Sequence, residues 1–146
     1  MNEIIEKENI IIEDMIYEIR GVQVMLDSDL AKLYQCTNGT KTINQAVSRH
    51  LERFPNDFCF QITYEEYQSI LRSQNGTLGL KQGQYSKYLP KVFTEQGVAM
   101  LATVLRTSVA SKMSVNIMRT FVKMRKYFAN TLISNDILVN HESRLL

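Results

Sequence analysis

Residues 27–54 read DSDLAKLYQCTNGTKTINQAVSRHLERF, two apolar stripes of helical spacing separated by turn residues. Asp27 suits a helix N-cap, Ser28 and Asp29 fall in the first turn, and Leu30, Leu33 and Tyr34 share one face. Cys36-Thr37-Asn38-Gly39-Thr40 is turn chemistry, Asn-Gly being suited to positive φ. A second helix is predicted from about Lys41 to Arg53, in which Ile43, Val47, Leu51 and Phe54 recur at three-to-four spacing and face the core. Its other side then presents Lys41, Thr42, Asn44, Gln45, Ser48, Arg49 and Glu52.

That side has the chemistry of a helix that reads bases. Asn and Gln pair bidentately with adenine, Arg and Lys pair with guanine, and Ser or Thr reaches a base edge or a phosphate. A solvated amphipathic face is the plainer alternative, because many surface helices share part of this pattern.

Upstream, Ile16-Tyr17-Glu18-Ile19 and Val22-Gln23-Val24-Met25 flank Arg20-Gly21, the pattern of a β-hairpin, and residues 1–14 read as a flexible leader. Downstream, Phe58–Ile62 is a compact apolar run suited to a buried strand, and Thr63 caps a helix to about Leu71. Residues 73–87 hold three of the six glycines and read as one long loop. Tyr88–Phe93 is a further strand, and Thr94 caps a helix to about Arg106. Thr107-Ser108 restarts a long helix to about Asn130, with Val109, Met113, Ile117, Phe121, Met124 and Phe128 on its inner stripe. Lys112, Arg119, Lys123 and Lys126 line its other side. Residues 131–146 continue an apolar rhythm and read as the start of a C-terminal interaction helix. The expected class is α+β and mainly helical, with a small hairpin or sheet, a helix-turn-helix-like pair and a long C-terminal helix. Residues 15–130 form its single domain.

Composition agrees with one globular domain: 146 residues, 45% hydrophobic and 22% charged. No run approaches the roughly 18–20 apolar residues of a membrane span, and the first twenty residues lack the basic-then-apolar order of an export signal. Cys36 and Cys59 form no CxxC or Cys/His cluster, so a reducing, cytoplasmic location is expected. The net charge of +2 conceals segregation. Residues 1–19 carry six acids against one lysine, whereas residues 69–130 carry ten Lys/Arg against the single acid Glu95. A polyanion such as nucleic acid is the partner such a surface attracts, and anionic membrane would satisfy charge alone.

Enzyme chemistry finds little support. Thr94-Glu95-Gln96-Gly97 is explained by a cap, a helix-dipole acid and a close approach at Gly97. Glu65 and Glu66 point about 100° apart on a helix and lack a further metal ligand nearby. His50 and His141 have no Ser or Cys partner at a known spacing, and no phosphate-binding glycine fingerprint occurs. Neither a cofactor nor a small-molecule substrate is expected.

Four blocks, in order, resemble the ORF6N domain of phage and bacterial proteins, a module related to KilA-N. They are residues 19–34 (IRGVQVMLDSDLAKLY), Asn44-Gln45-Ala46-Val47 with Arg49 and Glu52-Arg53-Phe54-Pro55-Asn56-Asp57-Phe58, Leu71-Arg72-Ser73-Gln74, and residues 88–101 (YLPKVFTEQGVAML). The similarity spans about residues 16–128. Gln35–Thr40 departs from the tighter Gly-Val-type turn common in the family. The resemblance implies a DNA-binding module of an antirepressor-like, prophage-type regulatory protein. On that reading Asn44, Gln45, Ser48 and Arg49 approach base edges, with Thr42 beside them, and Lys41 and Arg53 take phosphates. Arg72, Lys81, Lys87 and Lys91 extend the phosphate contacts along double-stranded DNA, and Arg20 touches the backbone from a hairpin wing. The alternative is a protein-interaction module that forms a homodimer through its C-terminal helices, with incidental basic surface.

Overall fold

In a computed structural model, which describes residues 11–75 and 89–145, strands β1 (Ile16–Ile19) and β2 (Val22–Leu26) meet in a two-residue turn. Arg20 and Gly21 hold φ of 56° and 78°, the doubly positive pair of a type I′ turn, whose twist matches that of the strands it joins. Strands β3 (Cys59–Gln61) and β4 (Lys91–Phe93) complete an antiparallel sheet in the order β1-β2-β4-β3.

Alternation along the strands divides the core in two. Ile16, Met25, Cys59 and Phe93 point to one face, while Ile19, Val24, Leu26 and Val92 point to the other. The first face is covered by helices α1 (Asp27–Leu33) and α2 (Thr40–Arg49), and the second by α3 (Tyr64–Asn75) through Ile70. Helices α4 (Glu95–Leu105) and α5 (Ser108–Leu145) also pack on the first face, through Val98, Leu101, Met113, Ile117 and Phe121. Phe93, Leu30 and Ile43 are fully buried, each a contribution of roughly 1.5–3 kcal/mol. The fold is α+β and mainly helical.

Two sequence blocks that lie far apart form one joint. The turn after α2 brings the Phe58 carbonyl onto the start of α4, where the Thr94 N–H donates to it at 3.0 Å. The Thr94 hydroxyl donates to the Asp57 carbonyl at 2.8 Å and accepts from the Gly97 N–H at 3.3 Å, capping α4 as expected. A side chain at Gly97 has no room there, since its Cβ would lie 1.9 Å from the Phe58 oxygen.

Several expectations are adjusted. Asp27 is the first helical residue of α1, and its buried carboxylate accepts from the Ser28 and Lys91 N–H groups, tying α1 to β4. The α1–α2 connection takes its positive φ at Gln35 and Gly39. The Cys36 N–H donates to the Ala31 carbonyl and Gln35 N–H to Lys32, a Schellman arrangement in which a side chain occupies the left-handed position. α2 ends at Arg49 because His50 leaves helical geometry (φ −134°, ψ 43°), and a short 3-10 turn over Leu51–Arg53 follows. Leu51 therefore swings outward and is 65% exposed, contrary to its predicted core role. Phe54 takes that place, edge-on to Phe93 at 6.1 Å. Residues 12–14, expected in the leader, form with Met15 a 3-10 turn whose Ile12 and Met15 pack on the core. α3 continues to Asn75, into the predicted loop, and α5 runs without a break from Ser108 to Leu145.

Candidate nucleic-acid interface

α2 is held by its apolar stripe: Ile43 and Val47 are buried against α1 and α4, with Ala46 partly buried beside them. Lys41, Gln45, Ser48 and Arg49 are exposed on the helix, and Arg53 is exposed on the 3-10 turn beyond it. None of the three cations Lys41, Arg49 and Arg53 has an ion pair among the described residues. Lys41, Gln45, Ser48 and Arg49 are thus brought together on one helix.

Thr42 and Asn44 differ from their neighbours in being half-buried. The Asn44 amide donates back to the Thr40 carbonyl at 3.0 Å, and its Oδ1 is sealed from solvent without a partner among the described residues. Its position on the polar side of the helix, read from spacing, hides this turn back along the axis.

The remaining predicted cations lie elsewhere. Arg20 sits on the α3 side of the sheet, ion-paired with Glu66 and stacked on Phe60, with its central carbon 4.4 Å from the ring centre. It is not the free tip of a wing. Arg72 is exposed on α3, across the sheet from α2. Lys91 is half-buried in β4, and Lys81 and Lys87 lie outside the described residues.

α5 adds a second basic surface. Lys112, Arg119 and Lys126 are exposed at seven-residue spacing, opposite the buried Met113, Ile117 and Phe121. Two further cations of that helix are engaged: Lys123 meets Glu13 at 2.6 Å and Arg125 meets Glu95 at 2.5 Å.

Two features escaped the reading of the sequence. Glu66 is more than a solvated acid: it accepts from the Thr63 N–H at 2.8 Å while the Thr63 hydroxyl accepts from the Glu66 N–H, a capping box. The Thr-x-x-Glu spacing at 63–66 was the available signal. Asp29 lines a cleft of about 600 Å³ with Glu13, Asp14, Tyr17 and Gln74, and burial pushes its carboxyl up to about 6. A second cleft, of about 650 Å³, lies between the hairpin, the start of α4 and α5, lined by Glu18, Gln23, Asp57, Gln96 and Phe121.

Among the described residues no group of three His, Cys, Asp or Glu is placed to hold a metal ion, and no helix is long and apolar enough to cross a membrane. A family model for the ORF6N domain matches residues 14–104. No curated protein and no solved structure matches the chain. The match takes in the hairpin, the α1–α2 pair, the sheet and nearly all of α4, and by it the chain belongs to the phage-associated ORF6N domain family.

Proposed function

We propose that the chain is a sequence-specific double-stranded DNA-binding module of an antirepressor-like regulatory protein, acting in the cytoplasm without enzymatic activity of its own. The observation that carries this reading is α2: an anchored short helix whose Lys41, Gln45, Ser48 and Arg49 face solvent without ion pairs among the described residues. Such a helix, second of a packed pair, fits a major groove, and amide and guanidinium groups are the ones that read base edges. Lys41 and Arg53 serve phosphates, as do the exposed cations of α5.

The test is fluorescence anisotropy of labelled duplexes with the whole chain. The expected affinity falls steeply between about 50 and 200 mM salt, as counterion release requires. A folded sample that binds no duplex at low salt overturns the reading.

The length of α5 favours a second role in assembly. α5 is 38 residues long, and its C-terminal turns extend to Leu145. A homodimer through these C-terminal turns is compatible with DNA binding. Removing residues 131–146 is expected to change the assembly state by sedimentation and to leave the fold intact.

A further inference from the structure

We infer that Gln45 and Arg49, and not Asn44, form the base-reading pair of α2, and that the DNA half-site holds an adenine and a guanine no more than two base-pair steps apart. The inference rests on the DNA-binding reading above and narrows it to two side chains and two bases.

To read adenine, an amide must offer its oxygen to the N6 amino group and its N–H to N7 in one plane. Asn44 cannot present that pair. Its Oδ1 lies beneath the surface, and its Nδ2 is held back along the helix by the bond that one of its two N–H groups donates to the Thr40 carbonyl. Gln45, one residue on, is exposed and makes no hydrogen bond among the described residues, so both amide groups remain available. Arg49 is likewise exposed without a carboxylate partner among the described residues, leaving its fork for the O6 and N7 of guanine.

Spacing sets the geometry of the site. Residues four apart lie on one helix face, displaced about 6 Å along the axis at about 1.5 Å per residue. Stacked base pairs are about 3.4 Å apart, so a helix lying along the groove places the two contacts two steps apart, and a tilted one brings them closer. Ser48, between them on the same surface, suits either a base edge or a phosphate and carries no strong preference.

The test is selection from random duplexes with the whole chain and its variants, followed by affinities for the selected site and each single-base change. The unaltered protein is expected to enrich an adenine and a guanine within two steps. Gln45→Ala relaxes the adenine alone and Arg49→Ala the guanine alone, each removing about tenfold or more of discrimination. Gln45→Arg is expected to convert the adenine preference to guanine. Asn44→Ala leaves both preferences in place, and circular dichroism confirms that each variant is folded. If Asn44→Ala relaxes a position while Gln45→Ala and Arg49→Ala do not, the assignment of readers is overturned and the DNA-binding reading stands. If the unaltered protein binds DNA but enriches no sequence, base readout by α2 is overturned altogether. If it binds no DNA, the reading beneath both is lost.

Discussion

The Arg20 guanidinium grips the Glu66 carboxylate through two parallel bonds, Nε to Oε2 at 2.9 Å and Nη2 to Oε1 at 3.0 Å. The same carboxylate closes the capping box on Thr63, so one side chain joins the hairpin turn to the start of α3. The Arg20 fork, followed by the Thr63 bond, holds the Glu66 carboxyl below its ordinary range. An acid with a depressed folded-state pKa stabilises the fold above its unfolded value, near 4.5, and loses that contribution as pH falls through the folded value. Glu66→Gln is therefore expected to lower the melting temperature at pH 7, with the difference from the unaltered protein shrinking as the pH is taken below the usual carboxylate range. Thr63→Ala removes the cap, at a cost of about 1 kcal/mol. Because Arg20 is already engaged, Arg20→Ala should leave duplex affinity unchanged; a tenfold loss would restore the wing.

Gly97 is the one described glycine with no room for a side chain. The Phe58 carbonyl against it is backbone, held by the Thr94 N–H and carried on the turn that follows α2, so it has little freedom to retreat. Gly97→Ala is expected to cost about 3 kcal/mol or more in urea unfolding, at the upper end of what overpacking does. A loss below about 1 kcal/mol would mean that the joint between the two sequence blocks yields easily.

Gln35 presents the opposite case. It sits at φ 53° at the end of α1, where an L side chain costs roughly 1–2 kcal/mol. Glycine relieves that strain, and its freer unfolded chain returns about 0.4–1 kcal/mol of the gain. Gln35→Gly should then stabilise the protein by about 0.5–1 kcal/mol, read as a raised urea midpoint. Destabilisation would show that the Gln35 side chain contributes more than its backbone strain removes.

These positions show what the sequence disclosed and what it withheld. Period-two alternation around Arg20-Gly21 and the Ile43/Val47 stripe specify burial directly, so the hairpin and the inner side of α2 were legible. So was the Thr94 cap with the close approach at Gly97, because small residue types at helix starts have few other uses. The fate of Leu51 was not, since it depends on where α2 stops, and His50 carries no breaker signature. Asn44 shows the same limit at a finer scale: helical spacing assigns a side chain to a face, but not whether it bends back to its own backbone. Arg20 and Arg72 counted as basic in composition, and only the sheet order shows them across the molecule from α2.

Asp29 gives the fold a pH response of opposite sign to that of Glu66. Its carboxyl is raised from 3.8 to about 6, chiefly by burial, with Lys32 lowering it and Asp27 raising it further. A native state that takes up the proton more readily than the unfolded chain loses stability as pH climbs from about 4 through 6. Asn cannot ionise, so Asp29→Asn should match the unaltered protein at pH 4 and exceed it at pH 8. About 1 kcal/mol is expected once partial solvent screening is allowed for. Lower stability of Asp29→Asn at pH 8 would show that the charge is favoured there, through the start of α1, despite its burial.

The basic stripe of α5 separates positioning from reading. Lys112, Arg119 and Lys126 stand about 10 Å apart in succession on the face away from the core, a spacing that follows a charged backbone and carries no base information. Replacing all three by Gln removes no core contact, so the melting temperature should change little. If each neutralises one phosphate, the slope of log affinity against log salt becomes shallower by about 3, equally on selected and random duplexes. Arg49→Ala, in contrast, should weaken the selected duplex far more than the random one. A triple variant with an unaltered salt slope would place this face away from DNA and leave it to the assembly contacts of the C-terminal helix.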